Sequence, residues 1–428
     1  MKKVSRYTVV CQTNYGTILF NTYSCGIIKL EENKPENLTT EDYIYKLAAK
    51  NSDYEKNLIE NGFLIDGEID ELALLKSDYY YMKYQRSMVS ITINTGLICN
   101  CNCVYCYEGQ KHDESSRLTK KAASDIVAFI IECYPPSTII NLSFIGGEPL
   151  LCLDEIKLIC AELKEKYTSI SFSMTTNGLL LNEENILFVK SIIDENIQIS
   201  IDGPKEYHDK KRRLKDGGGT YETLITNVKI MQSHDMHANI RTHIDDEFIS
   251  SINVDDWVKN IKNDFDISKN IKFYLAPIVG LGQGKKEYDR KYMDYLLTVY
   301  RMFLANGIPI IFDYYFKPAS QCAVISQNSF SIDCTGKIYK CWHDLTAENF
   351  NGNQFGDIYE GINLPKLITY IDKIDVFNEQ QCKLCEYLPL CYGGCPEYKN
   401  SGYHKCTPLK YYTKEALELL LEIKGGAR

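Results

Sequence analysis

Cys99-Asn100-Cys101-Asn102-Cys103-Val104-Tyr105-Cys106-Tyr107-Glu108 is the stretch on which the reading of this chain turns. It follows Ser90-Ile91-Thr92-Ile93, an apolar run that reads as a strand. Cys99, Cys103 and Cys106 form a Cys-x3-Cys-x2-Cys pattern on one short loop. Three thiolates so placed are soft donors suited to three corners of a 4Fe–4S cluster, with the fourth iron left open. The same spacing also suits an incomplete zinc site or reduced core thiols. Cys101 adds a thiol inside the loop and reads as a bystander that could compete for iron.

Around this loop the chain is rich in sulfur, with 17 cysteines in 428 residues. Met1-Lys2-Lys3-Val4-Ser5-Arg6 leads into alternating polar and apolar residues, not the continuous apolar stretch of an export signal. A cytoplasmic location is expected, where clustered thiols hold metal more often than they pair. Eight more cysteines gather as Cys322, Cys334, Cys341, Cys382, Cys385, Cys391, Cys395 and Cys406. Cys11, Cys25, Cys133, Cys152 and Cys160 lie outside both groups and are expected to be plain buried residues. The net charge of −9 disfavours nucleic acid as a main partner. No run of about 18 apolar residues marks a membrane span.

Three segments are expected. In residues 1–88, Tyr7-Thr8-Val9-Val10 and Thr17-Ile18-Leu19-Phe20 flank the turn signal Asn14-Tyr15-Gly16 and read as a hairpin. Residues 26–30 add a strand or start a helix. Thr39 and Asp42 open a helix to Lys50, another covers 54–61 before Gly62, and 70–84 reads as a linking helix. The whole is winged-helix-like. In residues 89–311, six short apolar runs at 90–93, 139–144, 170–174, 197–201, 238–242 and 271–275 alternate with helical stretches such as 120–133 and 153–166. Alternation of this kind gives parallel β/α units, too few for a closed eight-stranded barrel, with chemistry at the C-terminal strand ends. The fold class is therefore α/β. Residues 312–428 are short-patterned and Cys-rich, with no long periodic element before a final helix at 413–423, so they need metal staples.

The loop resembles the hallmark of the radical S-adenosylmethionine (SAM) superfamily, where an aromatic follows this cysteine spacing, here Tyr105 and Tyr107. The resemblance implies a partial (β/α)6 barrel whose open iron is chelated by the amino and carboxylate groups of SAM. It continues in order along residues 89–311. Gly146-Gly147-Glu148-Pro149 is similar to the motif that contacts the SAM amino group, with glycines for close backbone approach and Glu148 to accept from the ammonium. Thr175-Thr176-Asn177-Gly178 resembles a turn near SAM. Ser200-Ile201-Asp202-Gly203-Pro204 places Ser200 and Asp202 at positions facing its ribose and carboxylate. His208-Asp209 and Arg212 fit a pattern of peptide-modifying members, although Lys210-Lys211-Arg212-Arg213 also reads as a solvated charge run.

The C-terminal cysteines resemble the SPASM domain of radical SAM maturases; a zinc ribbon is the other reading. The resemblance implies Cys322, Cys341 and Cys395 on a first auxiliary cluster, with Cys334 as a possible fourth ligand. It implies Cys382, Cys385, Cys391 and Cys406 on a second, giving three 4Fe–4S clusters in all. Residues 1–88 resemble an element that binds the leader of a ribosomally made precursor peptide by strand addition; a structural cap is the alternative. The implied activity is reductive SAM cleavage and use of the 5′-deoxyadenosyl radical on that peptide, most closely to join a cysteine sulfur to carbon as a thioether. The implied partners are the precursor peptide and a low-potential donor of flavodoxin or ferredoxin type. Carbon–carbon crosslinking, epimerisation and formylglycine formation in sulfatases are competing chemistries within the family. A zinc scaffold and a pure electron-transfer protein are competing classes without a SAM pocket.

Overall fold

The computed structural model describes residues 1–109, 116–193, 197–278, 290–312, 316, 322–345, 353–400 and 406–425. Two small sheets open the chain. Strand β1 (Lys2–Val4) pairs antiparallel with β5 (Leu64–Asp66). Strands β2 (Thr8–Thr13), β3 (Gly16–Asn21) and β4 (Ile27–Leu30) form an antiparallel sheet in that order. Gly16 has φ +98°, and a Cβ there would stand 2.1 Å from the Leu30 carbonyl oxygen, so the tight turn requires glycine. Residues 26–30 resolve to a strand. Helix Thr40–Ala48 starts where Thr39 accepts the Asp42 N–H. Helix Ser52–Glu60 ends ahead of Gly62, whose φ is +78°. Helix Glu71–Tyr84 is capped by Asp70 and leads to the central sheet. The sequence reading missed β1, which has only three residues.

All six expected core strands are present: β6 (Met88–Asn94), β7 (Ile139–Ile145), β8 (Ile170–Thr176), β9 (Ile197–Ser200), β10 (Ala238–Ile244) and β11 (Ile271–Pro277). They run parallel in the order β11-β10-β9-β8-β7-β6, the open arrangement of a six-unit partial barrel. Period-two alternation sorts their side chains. Val89, Ile91, Ile93, Ile140, Leu142, Phe144, Phe172 and Met174 are buried in the main core with residues of helices Lys120–Cys133 and Leu153–Lys166. On the other face, Ser143 meets Ser173 at 2.6 Å. This inner face is polar and half-exposed.

The sheet does not stop with the sixth unit. β12 (Phe330–Ile332) adds parallel to the outer edge of β6, followed by β13 (Lys337–Tyr339), β14 (Gly356–Asp357) and β15 (Gly361–Ile362), giving ten strands. An edge that would otherwise be open is thereby covered by the Cys-rich segment. That segment is also more regular than expected. Leu364–Lys373 is a ten-residue helix, capped by Asn363, that buries Leu367, Tyr370 and Ile371. Its apolar stripe is too short to stand out as a periodic signal. The last helix spans Leu409–Gly425, with non-helical angles at Tyr412, so the regular stretch read from sequence is the part after this kink. Cys152 and Cys160 are buried as expected. Cys11 and Cys25 are only half-buried, and Cys133, at the end of its helix, is exposed.

Candidate active site

The loops that follow β6, β7, β8, β9 and β10 meet at one end of the sheet. Cys99, Cys101 and Cys103 are buried there as one cluster, with Cys106 and Leu179 packed against it. Backbone contacts hold the loop. Asn102 N–H donates to the Arg213 carbonyl at 2.7 Å and Val104 N–H to that of Lys211 at 3.0 Å. Cys101 N–H points at the Cys99 sulfur at 3.4 Å. A bond from Cys101, assisted by the Arg212 charge, favours the thiolate of Cys103 against its burial, while Cys101 is raised and keeps its proton. Burial, and next to it Glu108, pushes Cys106 up to about 12.

Gly146 and Gly147 lie hard against this loop. Gly147 N–H donates to the Gly96 carbonyl, and Glu148 N–H to that of Ile98, both at 2.9 Å. A Cβ on Gly147 would stand 2.3 Å from the Ile98 oxygen. Pro149 begins the short turn that follows. The Glu148 side chain finds its partners within the protein. It is 0% exposed and faces inward, accepting from Thr176 Oγ1 at 2.6 Å, Asn177 N–H at 2.8 Å and Leu150 N–H at 3.0 Å. It braces the next loop. Asn177, so held, donates through Nδ2 to Asn100 Oδ1 at 2.6 Å and lies 3.8 Å from the Cys99 sulfur.

Ser200 is buried at the end of β9. Asp202, 0% exposed, is the centre of a polar network. It accepts from the Tyr105 hydroxyl, and from His243 through both its N–H, at 2.9 Å, and Nδ1–H, at 3.0 Å. Arg212 donates to the Tyr105 oxygen at 2.8 Å. Burial opposes ionisation of Asp202, but His243 and Arg212 hold its carboxyl well below the usual carboxylate range. His208 Nδ1 accepts Asp202 N–H at 3.1 Å, and its Nε2 bonds Thr220 at 3.0 Å. The charge run is thus split: Arg212 and Lys211 are buried, Lys211 on Asp245 and Glu247, while Lys210 pairs at the surface. His243 went unread in the sequence. Only the register that sets Arg241 beside Ser200 places it next to Asp202.

The C-terminal thiols fall into three places. Cys382, Cys385, Cys391 and Cys406 line one cavity of about 50 Å³ with Tyr387 and Lys410. Left-handed Tyr392, Gly393 and Gly394 make the sharp turn between Cys391 and Cys395. Cys322, Cys341 and Cys395 form a second neighbourhood, in which Cys395 acts electrostatically on Cys322 and Cys322 on Cys341. Cys334 is not brought to them. It sits in the β12–β13 turn, 3.8 Å from Ser116 Oγ and beside Cys152. Cys341 lies beyond the other end of the three-residue strand β13. The expectation that Cys334 completes that set is corrected accordingly.

Among the described residues no three Cys, His, Asp or Glu side chains converge on one point as around a lone ion. A 4Fe–4S cube spreads its ligands over its corners instead. The donor set fits such a group: soft thiols on one loop, an amide aimed at a sulfur, a buried guanidinium nearby, and a glycine pair where no side chain can stand.

Residues 93–250 match the model of the Radical SAM superfamily. The serine-type anaerobic sulfatase-maturating enzyme of Bacteroides thetaiotaomicron is 23% identical, the match covering 75% of this chain and 85% of that protein. The cysteine-type enzyme of Clostridium perfringens is 24% identical over 75% of this chain and 92% of its own. Among solved structures, anSMEcpe with bound AdoMet superposes with a TM-score of 0.60 at 19% identity, covering 78% of this chain and 97% of that one. Streptococcus suis SuiB bound to S-adenosylmethionine gives 0.55 at 16% identity, covering 95% and 99%. No described helix is long and apolar enough to cross a membrane. This chain therefore carries, in residues 93–250, a domain of the radical SAM superfamily with that family's cofactors, 4Fe–4S and SAM, and it is an enzyme built around that domain.

Proposed function

We propose that this enzyme modifies a ribosomally made precursor peptide, joining a cysteine sulfur to a carbon as a thioether. The observation that carries the reading is the sulfur inventory beside the radical SAM site: four thiols round one cavity and three more in a second group, in the same chain. Thioether closure removes two hydrogens from the peptide, a net oxidation that needs an electron outlet. Epimerisation has no such need. Bound at these thiols, 4Fe–4S groups would supply one-electron chemistry, reductive toward SAM at the first site and an electron outlet at the others. Cys99, Cys103 and Cys106 would hold the first group; Cys322, Cys341 and Cys395, and then Cys382, Cys385, Cys391 and Cys406, would hold two more.

The remaining residues position. Gly146 and Gly147 let backbone approach SAM, Asn177 and Ser200 face it, and Arg212 offers a cation whose orientation Tyr105 and Asp202 fix. We divide the chain at 1–88, 89–311 and 312–428, with the first unit binding the leader. Support comes from β4, whose outer edge pairs with no described strand and is open to strand addition. SuiB also spans 95% of this chain, against 78% for anSMEcpe. A low-potential flavodoxin or ferredoxin type donor completes the system.

A second reading, formylglycine formation in a sulfatase, is favoured by the names of the relatives that span three quarters of the chain. A peptide substrate suits both, since anSMEcpe has been solved with AdoMet and a peptide named Kp18Cys. One experiment separates them. The enzyme, SAM, a reductant and a Cys-containing precursor are incubated without oxygen, and the peptide is weighed before and after thiol alkylation. Loss of two hydrogens with one alkylatable thiol gone per crosslink is the expected result. Loss of the sulfur atom itself would install the formylglycine reading. Loss of two hydrogens with every thiol intact would mean a carbon–carbon bond if the product carries no hydrazide-reactive aldehyde, and formylglycine made from a serine if it does.

A further inference from the structure

With Cys334 at the far end of its hairpin, the group Cys322, Cys341 and Cys395 has three sulfurs and no fourth. Asp344 lies in the turn Trp342–Leu345 directly after Cys341, and its N–H donates to the Cys341 carbonyl at 3.1 Å. The sequence Cys341-x2-Asp344 thus repeats the spacing by which Cys382-x2-Cys385 sets two donors on one short turn. Asp344 is buried, only 5% exposed. One oxygen, Oδ1, accepts from Asn353 at 3.3 Å, and Oδ2 has no hydrogen-bond partner among the described residues.

The surroundings make that bare oxygen costly. Glu397, two residues after Cys395, acts on Asp344, on Cys341 and on Cys322, so the segments bearing all three thiols converge on this carboxylate. Glu397 itself is taken up by the Tyr370 hydroxyl. Lys340, a buried cation next to Cys341, donates to the carbonyls of Ser326 and Ser329. A buried carboxyl oxygen without a described donor, its acid form favoured by burial and by the charge of Glu397, must hold a proton or a cation.

We infer that Asp344 supplies the fourth ligand, through oxygen, to the cluster held by Cys322, Cys341 and Cys395. The inference rests on the proposal that these thiols hold 4Fe–4S. Carboxylate is a harder donor than thiolate, so the iron it binds differs from the three cysteinyl irons. No iron at this site is then open to a substrate thiolate.

The test uses full-length protein carrying Cys99→Ala, Cys103→Ala and Cys106→Ala, purified without oxygen, so that only the auxiliary clusters remain. About eight irons per chain are expected. About four would mean that the site holds no cluster, which sinks the reading and the inference together before Asp344 is touched. With eight present, the reduced clusters are examined by electron paramagnetic resonance with and without added imidazole. The expected result is no response while Asp344 is present, a shifted signal for one cluster in Asp344→Ala, and no response again in Asp344→Cys. A response with Asp344 present, or none in Asp344→Ala, overturns the inference. Should Asp344→Ala lose the cluster, iron retained in Asp344→Cys supports a ligand role, and iron lost there as well overturns it.

Discussion

Lys83 and Asp375 meet at 2.6 Å with side chains only 1% and 4% exposed, tying the helix that enters the barrel to the segment just before Cys382. Lys83 Nζ also donates to the Ile371 carbonyl at 3.0 Å, so little of its charge is left unanswered. Around it Tyr7, Leu75, Tyr79, Val376, Phe377, Cys382 and Tyr392 share one core. The N-terminal residues therefore pack on the segment that carries Cys382. Lys83→Met would strand Asp375 as a buried charge and should cost about 3–5 kcal/mol. Adding Asp375→Leu should recover a large part of that loss. Chemical denaturation of the anaerobic protein measures both; equal losses in the single and double variants would refute the pairing.

The four thiols of the first loop should not be equivalent. Cys101 offers its backbone N–H to the Cys99 sulfur, and alanine keeps that N–H. Cys101→Ala should retain the iron of this site and reductive cleavage of SAM. Cys99→Ala, Cys103→Ala and Cys106→Ala together should lose about four irons and all cleavage. A dead, iron-poor Cys101→Ala would show that the ligands have been assigned wrongly.

Tyr105 stands between a buried cation and a buried anion, accepting from Arg212 at 2.8 Å and donating to Asp202. Tyr105→Phe removes the oxygen both depend on, a loss of about 1–3 kcal/mol. If Arg212 orients SAM, affinity for SAM should fall about tenfold while iron content stays at the wild-type level. Equilibrium dialysis with the loaded enzyme reads the first, metal analysis the second. Unchanged SAM affinity would confine the trio to a structural role.

How much of this was legible beforehand depends on what each residue's role rests on. The six core strands and the helix Lys120–Cys133 were readable because burial on one face writes a period into the sequence. That Cys382, Cys385, Cys391 and Cys406 gather round one cavity was implied by the resemblance, and short turns set the first three close together. The inward turn of Glu148 was not: the same Gly-Gly-Glu-Pro serves whether the carboxylate faces solvent or Thr176. Nor was the exile of Cys334, which follows from the register of β12 on β6 and of β13 on β12. His243 belongs to the same class. Roles that depend on how one strand lies against another leave no local trace.

That hidden network also predicts a pH dependence. His208 is 0% exposed, and burial pushes it down to about 4 from an ordinary 6.5. Between those values the unfolded chain takes up a proton that the native ring refuses, so the His208 contribution to stability rises with pH across the window and is lost as pH falls through it. From pH 7 to pH 5 the loss should be about 2 kcal/mol. Glu108 runs the other way. Burial raises it to about 7, so the native state keeps a proton the unfolded chain has released, and its contribution falls as pH rises from 4.5 to 7. The wild-type curve sums the two slopes, and only a difference isolates one. His208→Gln keeps an acceptor for Asp202 N–H and a donor for Thr220 but takes up no proton. It should be less stable than wild type at pH 7, and the gap should close by about 2 kcal/mol on going to pH 5. Urea denaturation of both proteins at the two pH values is the measurement. Parallel losses, with the gap unchanged, would mean that His208 titrates alike in the folded and unfolded chain and that the neutral ring bonded to Asp202 N–H is wrong.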